Sequence, residues 1–160
     1  MHGDKLDAID TQLLEILQAR GRTKRNELAE AVKLSIPAVS ERLRKLEERG
    51  IIRGFHALVD GRKIGLGLTA FISITTESST FYSKIIDRAL MQSEILECHA
   101  ITGDGSHLLK IKTENTVTLE KLLSKIQSWP GVLNTRTSVV LSSPKEETVV
   151  PLAQLQQAEQ

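Results

Sequence analysis

Apolar residues in the first third of the chain recur at the spacing of an α-helix. Between residues 6 and 17 they stand three or four positions apart, which predicts an amphipathic helix. Thr23 is expected to cap a second, short helix, and Ser35 to cap a third that ends before Gly50. The loosely alternating segment 51–59 then predicts one or two short strands. Three helices followed by such strands are typical of a winged helix-turn-helix.

Beyond a glycine-rich linker the pattern changes to the alternation that is typical of strands. A weak internal repeat relates residues 72–77 to residues 109–114, and each copy continues into an apolar-striped helix and a further strand. This β-α-β-β-α-β order predicts an α+β chain with a C-terminal ferredoxin-like domain. The predicted parts are a winged helix-turn-helix domain at 1–60, the linker at 61–67, the ferredoxin-like domain at 68–142 and a tail at 143–160.

One face of the predicted sheet is apolar, and no predicted element of the same chain packs against it. A ferredoxin-like fold places both helices on one face of its sheet, yet the first and last strands carry apolar residues on both sides. We therefore expect an obligate dimer or a higher oligomer. The tail leaves two possibilities open, an edge strand around Thr148 to Leu152 or a mobile segment.

The net charge of the whole chain is uninformative, but its distribution along the chain is not. The 160 residues include 21 Lys and Arg against 20 Asp and Glu, a net charge of +1. The segment from Arg20 to Arg53 holds ten basic and five acidic residues, whereas residues 61–160 hold ten of each. The basic excess thus coincides with the predicted helix-turn-helix, as expected of a surface that meets the DNA backbone. The alternative is a solvated helix face that is basic without a role.

Several classes of function are disfavoured by what the chain contains. Aromatic residues make up 3%, too few for a platform that stacks single-stranded bases. Cys98 is the one cysteine, so we expect a reducing, cytoplasmic location without disulfides. His99 and His107 flank a predicted hairpin, but no cluster of ligands completes a metal site. We find no nucleophile with its base, no phosphate-binding loop and no apolar run of membrane length, and we expect no enzyme, cofactor, metal or membrane contact.

The third predicted helix has an apolar stripe that is expected to face inward, formed by Ile36, Val39, Leu43 and Leu46. Small residues near the amino end of the opposite face would let its backbone approach a DNA groove, and the long basic side chains would reach bases or phosphates. The candidate residues for this role are Pro37, Ala38, Glu41, Arg44 and Lys45, with Arg42 on the flank. Of these, Arg42 and Lys45 are expected to contribute most to specific binding.

Several short motifs, in their order along the chain, resemble the Lrp/AsnC family of bacterial and archaeal regulators. In the first domain they are LDAID at 6–10, ELA at 27–29, LS at 34–35, ERLRKLE at 41–47 and GII at 50–52. In the second they are ECH at 97–99, TGD at 102–104, LLK at 108–110, PGV at 130–132 and TRT at 135–137. The resemblance covers residues 6 to 142. It implies a DNA-binding winged helix-turn-helix, a domain that dimerises through its sheet, assembly into octamers and an amino-acid effector bound between subunits.

The resemblance also assigns roles to particular residues. Residues 33–35 become the turn before the recognition helix, in which Ser35 either caps the helix or also offers its hydroxyl to a phosphate. Arg22, Lys24 and Arg25 are expected to contact backbone phosphates. The implied effector site comprises Thr102, Gly103, Asp104, Gly105, Ser106, His107, Thr135 and Thr137.

The effector loop departs from the family pattern, which usually has an aromatic, an Asp and another aromatic after the Gly-Asp pair. Gly105, Ser106 and His107 stand there instead. This substitution puts leucine or asparagine as the effector in doubt, and a plain hairpin without a ligand is the alternative. Backbone N–H groups beside Gly103 and Asp104 could still hold a carboxylate.

The function that the sequence predicts is sequence-specific transcriptional regulation on double-stranded DNA, modulated by a small molecule such as an amino acid. A ligand-binding oligomer that regulates an enzyme of amino-acid metabolism is the alternative. That alternative would need residues 61–160 alone, whereas a regulator requires residues 1–60. An amino-acid-converting enzyme is a third choice, disfavoured by the missing nucleophile and base.

Overall fold

The computed structural model describes residues 6–152, which form two compact units. Residues 6–58 and residues 146–152 belong to the first unit, and residues 59–145 form the second. The chain therefore crosses between the units twice. The predicted tail does not stand apart, because its described part packs with the first unit.

Three helices make the first unit, and each buries the apolar stripe that its sequence predicts. They are α1 (Ala8–Ala19), α2 (Arg25–Val32) and α3 (Ile36–Glu48). Leu13 of α1, Leu28 of α2 and Val39 of α3 are fully or almost fully buried in a shared core. Asp7 caps α1 by accepting a hydrogen bond from the backbone N–H of Asp10 at 2.8 Å.

The predicted capping of the second helix by Thr23 is wrong. The helix begins at Arg25, and its N-cap residue is Lys24, whose side chain makes no capping hydrogen bond. The Thr23 hydroxyl donates instead to the carbonyl oxygen of Arg20, 2.7 Å away. That hydroxyl closes the turn after α1, so it is not available to the next helix.

The strands predicted for the wing are also not formed, because residues 51–59 contain no strand. Gly54 has a φ of 150°, a conformation that side-chain-bearing residues rarely adopt and that interrupts regular extension. Phe55 and Leu58 are exposed, and no neighbouring strand among residues 6–152 pairs with this segment. Its alternating pattern therefore reflects neither a buried face nor a ladder within the described chain.

The second unit confirms the predicted β-α-β-β-α-β order. Its elements are β1 (Leu68–Thr76), α4 (Tyr82–Leu90), β2 (Ile95–Ala100), β3 (His107–Thr113), α5 (Thr116–Gln127) and β4 (Val132–Val139). The four strands form one antiparallel sheet in the order β2-β3-β1-β4. The two copies of the repeat thus place β1 and β3 side by side at the centre.

Successive side chains of the central strands point alternately to the two faces of the sheet. Ala70, Ile72 and Ile74 of β1 are fully buried in one core with Ile85 of α4 and Ile126 of α5. The intervening side chains of β1 point to the opposite face, which neither α4 nor α5 covers. We call this the open face of the sheet.

The open face is more polar than the sequence suggested. Phe71 lies on it and is partly exposed, as expected. Its β2–β3 side, however, carries an ion-pair group in which the Glu97 carboxylate lies 3.1 Å from His99 Nε2 and 3.2 Å from Lys110 Nζ. Any second copy of the chain that covers this face must therefore accommodate charge as well as apolar surface.

The described tail, residues 146–152, forms no strand, so of the two possibilities left open by the sequence the edge strand around residues 148–152 is wrong. It packs on α1 instead. The Gln18 side chain donates to the Val150 carbonyl oxygen at 3.1 Å and accepts from the Val150 N–H at 2.6 Å. Leu152 packs against the core of the three helices. No helix within residues 6–152 has the length and apolar character to cross a bilayer.

Candidate nucleic-acid interface and effector loop

The second and third helices are joined by the short turn expected of a helix-turn-helix. Lys33 ends α2 in the left-handed conformation, with a φ of 55°. Its backbone N–H and that of Leu34 both bond back to α2, which closes the turn. Ser35 then caps α3 by accepting from the Ala38 N–H at 3.3 Å. The capping role predicted for Ser35 is confirmed, and its contact with a phosphate stays a prediction.

The face of α3 that points away from the core carries the small residues expected at a groove. Val39, Leu43 and Leu46 are buried, whereas Pro37 is exposed and Ala38 is partly exposed. Ile36, assigned by its period to the inward stripe, is instead 49% exposed. It is the first residue of the helix, so it lies at the edge of the core. The exposed amino end of α3 can therefore approach another molecule closely.

Arg42 points toward α1. Its guanidinium Nη1 lies 2.7 Å from an Asp7 oxygen and 2.8 Å from an Asp10 oxygen. Partial burial raises the pKa of Asp7, but the Asp10 N–H and the Arg42 charge outweigh it and hold that pKa below its ordinary value. Arg42 thus joins α3 to the start of α1. The DNA contact expected of Arg42 stays a prediction, and its geometry favours a positioning role.

Charges on the exposed face of α3 largely neutralise one another. Arg44 donates from Nε and Nη2 to the two Glu41 carboxylate oxygens, at 2.8 and 2.6 Å, and from Nη1 to Glu48. Lys45 Nζ lies 3.9 Å from Glu41. These contacts lower the pKa of the Glu41 carboxyl, chiefly through the hydrogen bonds from Arg44. Their three- and four-residue spacing was visible in the sequence, where it signalled an intrahelical pair.

The basic excess of the first unit consequently lies outside α3. The helix contains three acidic and three basic residues, so it contributes none of the local surplus. Arg22, Lys24 and Arg25 are exposed at the turn between α1 and α2 and at the start of α2. A shallow depression of about 380 Å³ at this turn is lined by Arg20, Gly21, Arg22, Thr23 and Glu27. The exposed cations of this unit are thus concentrated at this turn and at the start of α2, and their contact with phosphates stays a prediction.

The predicted effector loop is divided between exposed and buried residues. Thr102, Gly103 and Asp104 are exposed at its tip, and Gly105 is partly buried. A side chain at Gly105 would come within 2.4 Å of the Ser73 hydroxyl and 3.1 Å of the Ile74 carbonyl oxygen. The loop therefore lies directly against β1, and only its tip is open to a ligand in the described chain.

Ser106 and His107 are buried, so they do not line the exposed tip. The Ser106 hydroxyl donates to the Ile74 carbonyl oxygen at 3.1 Å, and its oxygen lies 3.0 Å from His107 Nδ1. The His107 ring meets the Tyr82 ring edge-on, with 4.8 Å between their centroids. These contacts give both residues structural partners, and their role as effector ligands stays a prediction.

Each ring nitrogen of His107 has a different environment. Nδ1 shares a hydrogen bond with the Ser106 oxygen, 3.0 Å away. Nε2 is buried without a hydrogen-bond partner among residues 6–152. Burial lowers the pKa of His107, so the ring is neutral at pH 7.

Thr135 and Thr137 of β4 are partly buried and pair with Ile74 and Ile72 of β1, on the helix side of the sheet. The Thr135 hydroxyl accepts a hydrogen bond from the Gln127 side chain of α5 at 3.0 Å. The residue between them, Arg136, approaches the loop instead, and its Nη1 lies 3.8 Å from an Asp104 carboxylate oxygen. Arg136 was not among the predicted effector residues, and its approach to the loop depends on the pairing of β4 beside β1.

Metal and catalytic chemistry gain no support from the described side chains. Within residues 6–152 no three His, Cys, Asp or Glu residues converge as metal ligands would. Cys98 packs against the core on the helix side of the sheet, and burial raises the pKa of its thiol. His99 follows it on the open face and pairs with Glu97. The two neighbours thus cannot act on one substrate atom.

Comparisons with known protein families match both units. Residues 6–53 match the model for a winged helix-turn-helix DNA-binding domain, and residues 69–150 match the model for an Lrp/AsnC ligand binding domain. The chain is 35% identical to the HTH-type transcriptional regulator FL11 of Pyrococcus horikoshii, covering 92% of this chain and 97% of that protein. It is also 35% identical to the leucine-responsive regulatory protein of Escherichia coli, covering 90% of each.

Solved structures agree with these matches. A transcriptional regulator from Neisseria meningitidis in complex with L-methionine has a TM-score of 0.88 and 32% identity, covering 94% of this chain and 99% of that one. The feast or famine regulatory protein from M. tuberculosis, also complexed with L-methionine, has a TM-score of 0.84 and 31% identity, covering 91% and 98%.

Proposed function

Since the chain belongs to the Lrp/AsnC family of transcriptional regulators, we propose that α3 enters the major groove of DNA and that an amino acid bound by the second unit modulates this binding. The observation that carries the first part is the geometry of the turn. Residues 33–35 close it, Ser35 caps α3, and the helix begins with the exposed Pro37 and the small Ala38. A helix presented in this way can bring its amino end to base edges.

The proposed contacts divide into those that position the protein and those that read sequence. Arg22, Lys24 and Arg25, exposed around the start of α2, bind backbone phosphates, while Lys45 and the residues around Ala38 meet the bases. Lys45→Ala is expected to weaken binding to a cognate site by about 1–3 kcal/mol and to relax the sequence preference. Lys24→Ala is expected to weaken binding to all sequences equally and to reduce the salt slope by about 0.9.

These expectations are tested by fluorescence anisotropy with a site selected from genomic DNA and with a random duplex, over a KCl series. Lys121→Ala, on the exposed side of α5 in the second unit, removes the same charge and serves as the matched control. Binding that does not respond to salt would overturn the proposal. So would a Lys45 variant that keeps full affinity and full preference.

The proposed effector site is the exposed tip of the loop at residues 102–104 together with Arg136. The Asp104 carboxylate and the Arg136 guanidinium lie 3.8 Å apart and are both largely exposed. An amino acid is a zwitterion, so its ammonium group can pair with Asp104 and its carboxylate with Arg136. The L-methionine complexes of two structural neighbours make methionine the first candidate.

Calorimetry against the standard amino acids tests this site on the full chain. We expect heat of binding for methionine or a related apolar amino acid, and its loss in Arg136→Gln. Lys112→Gln, at a partly buried position of β3 in the same unit, is the control for the loss of charge. No heat with any amino acid would refute the effector proposal while leaving the DNA proposal intact.

We further propose a homodimer formed through the open face of the sheet and assembling to an octamer, in the cytoplasm and without enzymatic activity. The support is that α4 and α5 both pack on the other face, while Phe71 and parts of β2 and β4 remain exposed. Sedimentation velocity at several concentrations should show a dimer or larger assembly of the 17.7 kDa chain. Phe71→Lys should dissociate it, and a monomeric wild type would overturn the proposal.

A further inference from the structure

The side chains of Arg44, Glu41 and Glu48 form one charge group on the exposed face of α3. Three nitrogens of the Arg44 guanidinium donate to these two carboxylates, two of them to Glu41 as a parallel pair. The planar fork of an arginine is the side chain best suited to a bidentate contact with a phosphate, and here that fork is occupied within its own helix. The group counts one cation against two anions.

The rest of α3 adds little charge beside this group. Lys45 stands 3.9 Å from Glu41, which leaves it loosely held. Arg42 is engaged by Asp7 and Asp10 of the first unit. DNA of any sequence carries a dense negative charge, and sequence-independent binding grows with every cation that reaches a phosphate. A recognition helix whose cations are already paired with carboxylates of the same unit therefore has a lower affinity for non-cognate DNA.

We propose that Glu41 and Glu48 are specificity-determining residues that hold Arg44 away from backbone phosphates and so suppress binding to non-cognate DNA. This inference rests on the proposed docking of α3 in the major groove. The mechanism is electrostatic and local. A phosphate must displace two carboxylates to capture Arg44, and it meets their repulsion as it approaches. A cognate site provides base edges for α3 that compensate this cost, and a random sequence does not.

The expected effect follows from counterion release. Freeing one cation to meet a phosphate steepens the slope of log affinity against log salt by about 0.9, which corresponds to about 8-fold tighter binding at roughly 0.1 M salt. For each α3 on the DNA, Glu41→Gln should therefore approach an 8-fold gain on a random duplex. Glu48→Gln should give a smaller gain because it removes a single contact. The ratio of cognate to random affinity should fall.

Glu47→Gln is the matched control, since Glu47 is an exposed residue of the same helix and its loss changes the net charge equally. Its effect measures the general gain in DNA affinity from removing one negative charge near DNA. A double variant separates this general effect from the release of Arg44. Adding Arg44→Gln should abolish the excess gain of Glu41→Gln, whereas it should leave the gain of Glu47→Gln in place.

The test measures full-chain binding to a selected site and to a random duplex over a KCl series, with helix content checked for each variant by circular dichroism. The proposal predicts a steeper random-duplex slope for Glu41→Gln than for Glu47→Gln. Equal slopes, or a gain that survives Arg44→Gln, would overturn it while the proposed DNA-binding function stands. A wild-type chain that binds neither duplex would overturn both.

Discussion

The contact between Arg42 and the first turn of α1 predicts a measurable share of the stability of the helical unit. Arg42 is 30% exposed in its side chain and donates to Asp10, which is 13% exposed, and to Asp7, which is 49% exposed. Exposed pairs contribute about 0.2–1 kcal/mol, and breaking a buried pair costs about 3–5 kcal/mol. This pair is intermediate, so Arg42→Ala should lower the free energy of unfolding by about 2 kcal/mol.

Two carboxylates share the guanidinium, so the partners can be separated by a double-mutant cycle. The coupling of Arg42 to Asp10 should be about 1–1.5 kcal/mol because Asp10 is the more buried partner, and the coupling to Asp7 should be about 0.5 kcal/mol. Arg42→Lys keeps the charge but has no planar fork, so it should recover less than half of the loss.

The assay can distinguish the two units. Trp129 is the one tryptophan of the chain and is buried in the second unit, so its fluorescence follows that unit. Urea unfolding followed by far-ultraviolet circular dichroism follows the helices of both. The Arg42 substitutions should shift the helical signal to lower urea. A loss under 0.5 kcal/mol for Arg42→Ala, or no coupling to Asp10, would refute the reasoning.

Acid should weaken the same contact. The pKa of Asp7 is lower in the folded chain than its ordinary value, so its contribution is present above that ordinary value and is lost as the pH falls through the folded-state pKa. The difference in stability between the wild type and Arg42→Ala should therefore shrink in acid. A difference that is constant down to the acid transition would contradict this assignment.

Three further predictions concern the turn, the buried histidine and the tail. Lys33→Gly should raise the free energy of unfolding by about 0.5–1 kcal/mol because Lys33 is held at a positive φ. Lys33→Ala keeps this backbone strain and should give no gain. Thermal unfolding compares the two variants. Burial lowers the pKa of His107, so its neutral form stabilises the fold, and this stability is lost as the pH falls below the ordinary pKa of 6.5. His107→Phe should therefore reduce the change in unfolding midpoint between pH 7 and pH 5. An unchanged pH dependence would exclude His107 as the source of this change. Gln18→Ala should speed hydrogen exchange at the Val150 amide, and unchanged protection would show that the two hydrogen bonds to the tail do not persist in solution.

The sequence predicted the fold well where local pattern and packing agree. The apolar period of α3 and its Ser35 cap are encoded within fourteen residues, and the repeat at residues 72–77 and 109–114 gave the order of β1 and β3. The prediction of strands at residues 51–59 was wrong because a strand needs a partner strand. The alternation of these residues does not indicate whether a partner is present.

The roles of single side chains were harder to predict than the elements that carry them. Arg42 is on the flank of α3 by its period, but its partner Asp7 stands 35 residues earlier, and nothing local indicates that they meet. His107 was expected in the effector loop, whereas it is the first residue of β3 and is buried on the helix side of the sheet, with its ring edge-on to Tyr82. The pairing of Arg44 with Glu41 was readable in principle, because both stand on one helix at a known spacing.

The most direct test of the central claim, that α3 recognises DNA sequence, is to sequence the genomic fragments retained by the purified chain and by Ala38→Glu. Glutamate three residues after Ser35 completes a capping box, so this variant should fold at least as well as the wild type. It also places a negative, bulky group at the part of α3 that is proposed to enter the groove. We predict that the wild type enriches a motif with half-sites about one helical turn apart, and that Ala38→Glu enriches none. A wild type without a motif, or a variant that retains the same motif, would contradict the claim.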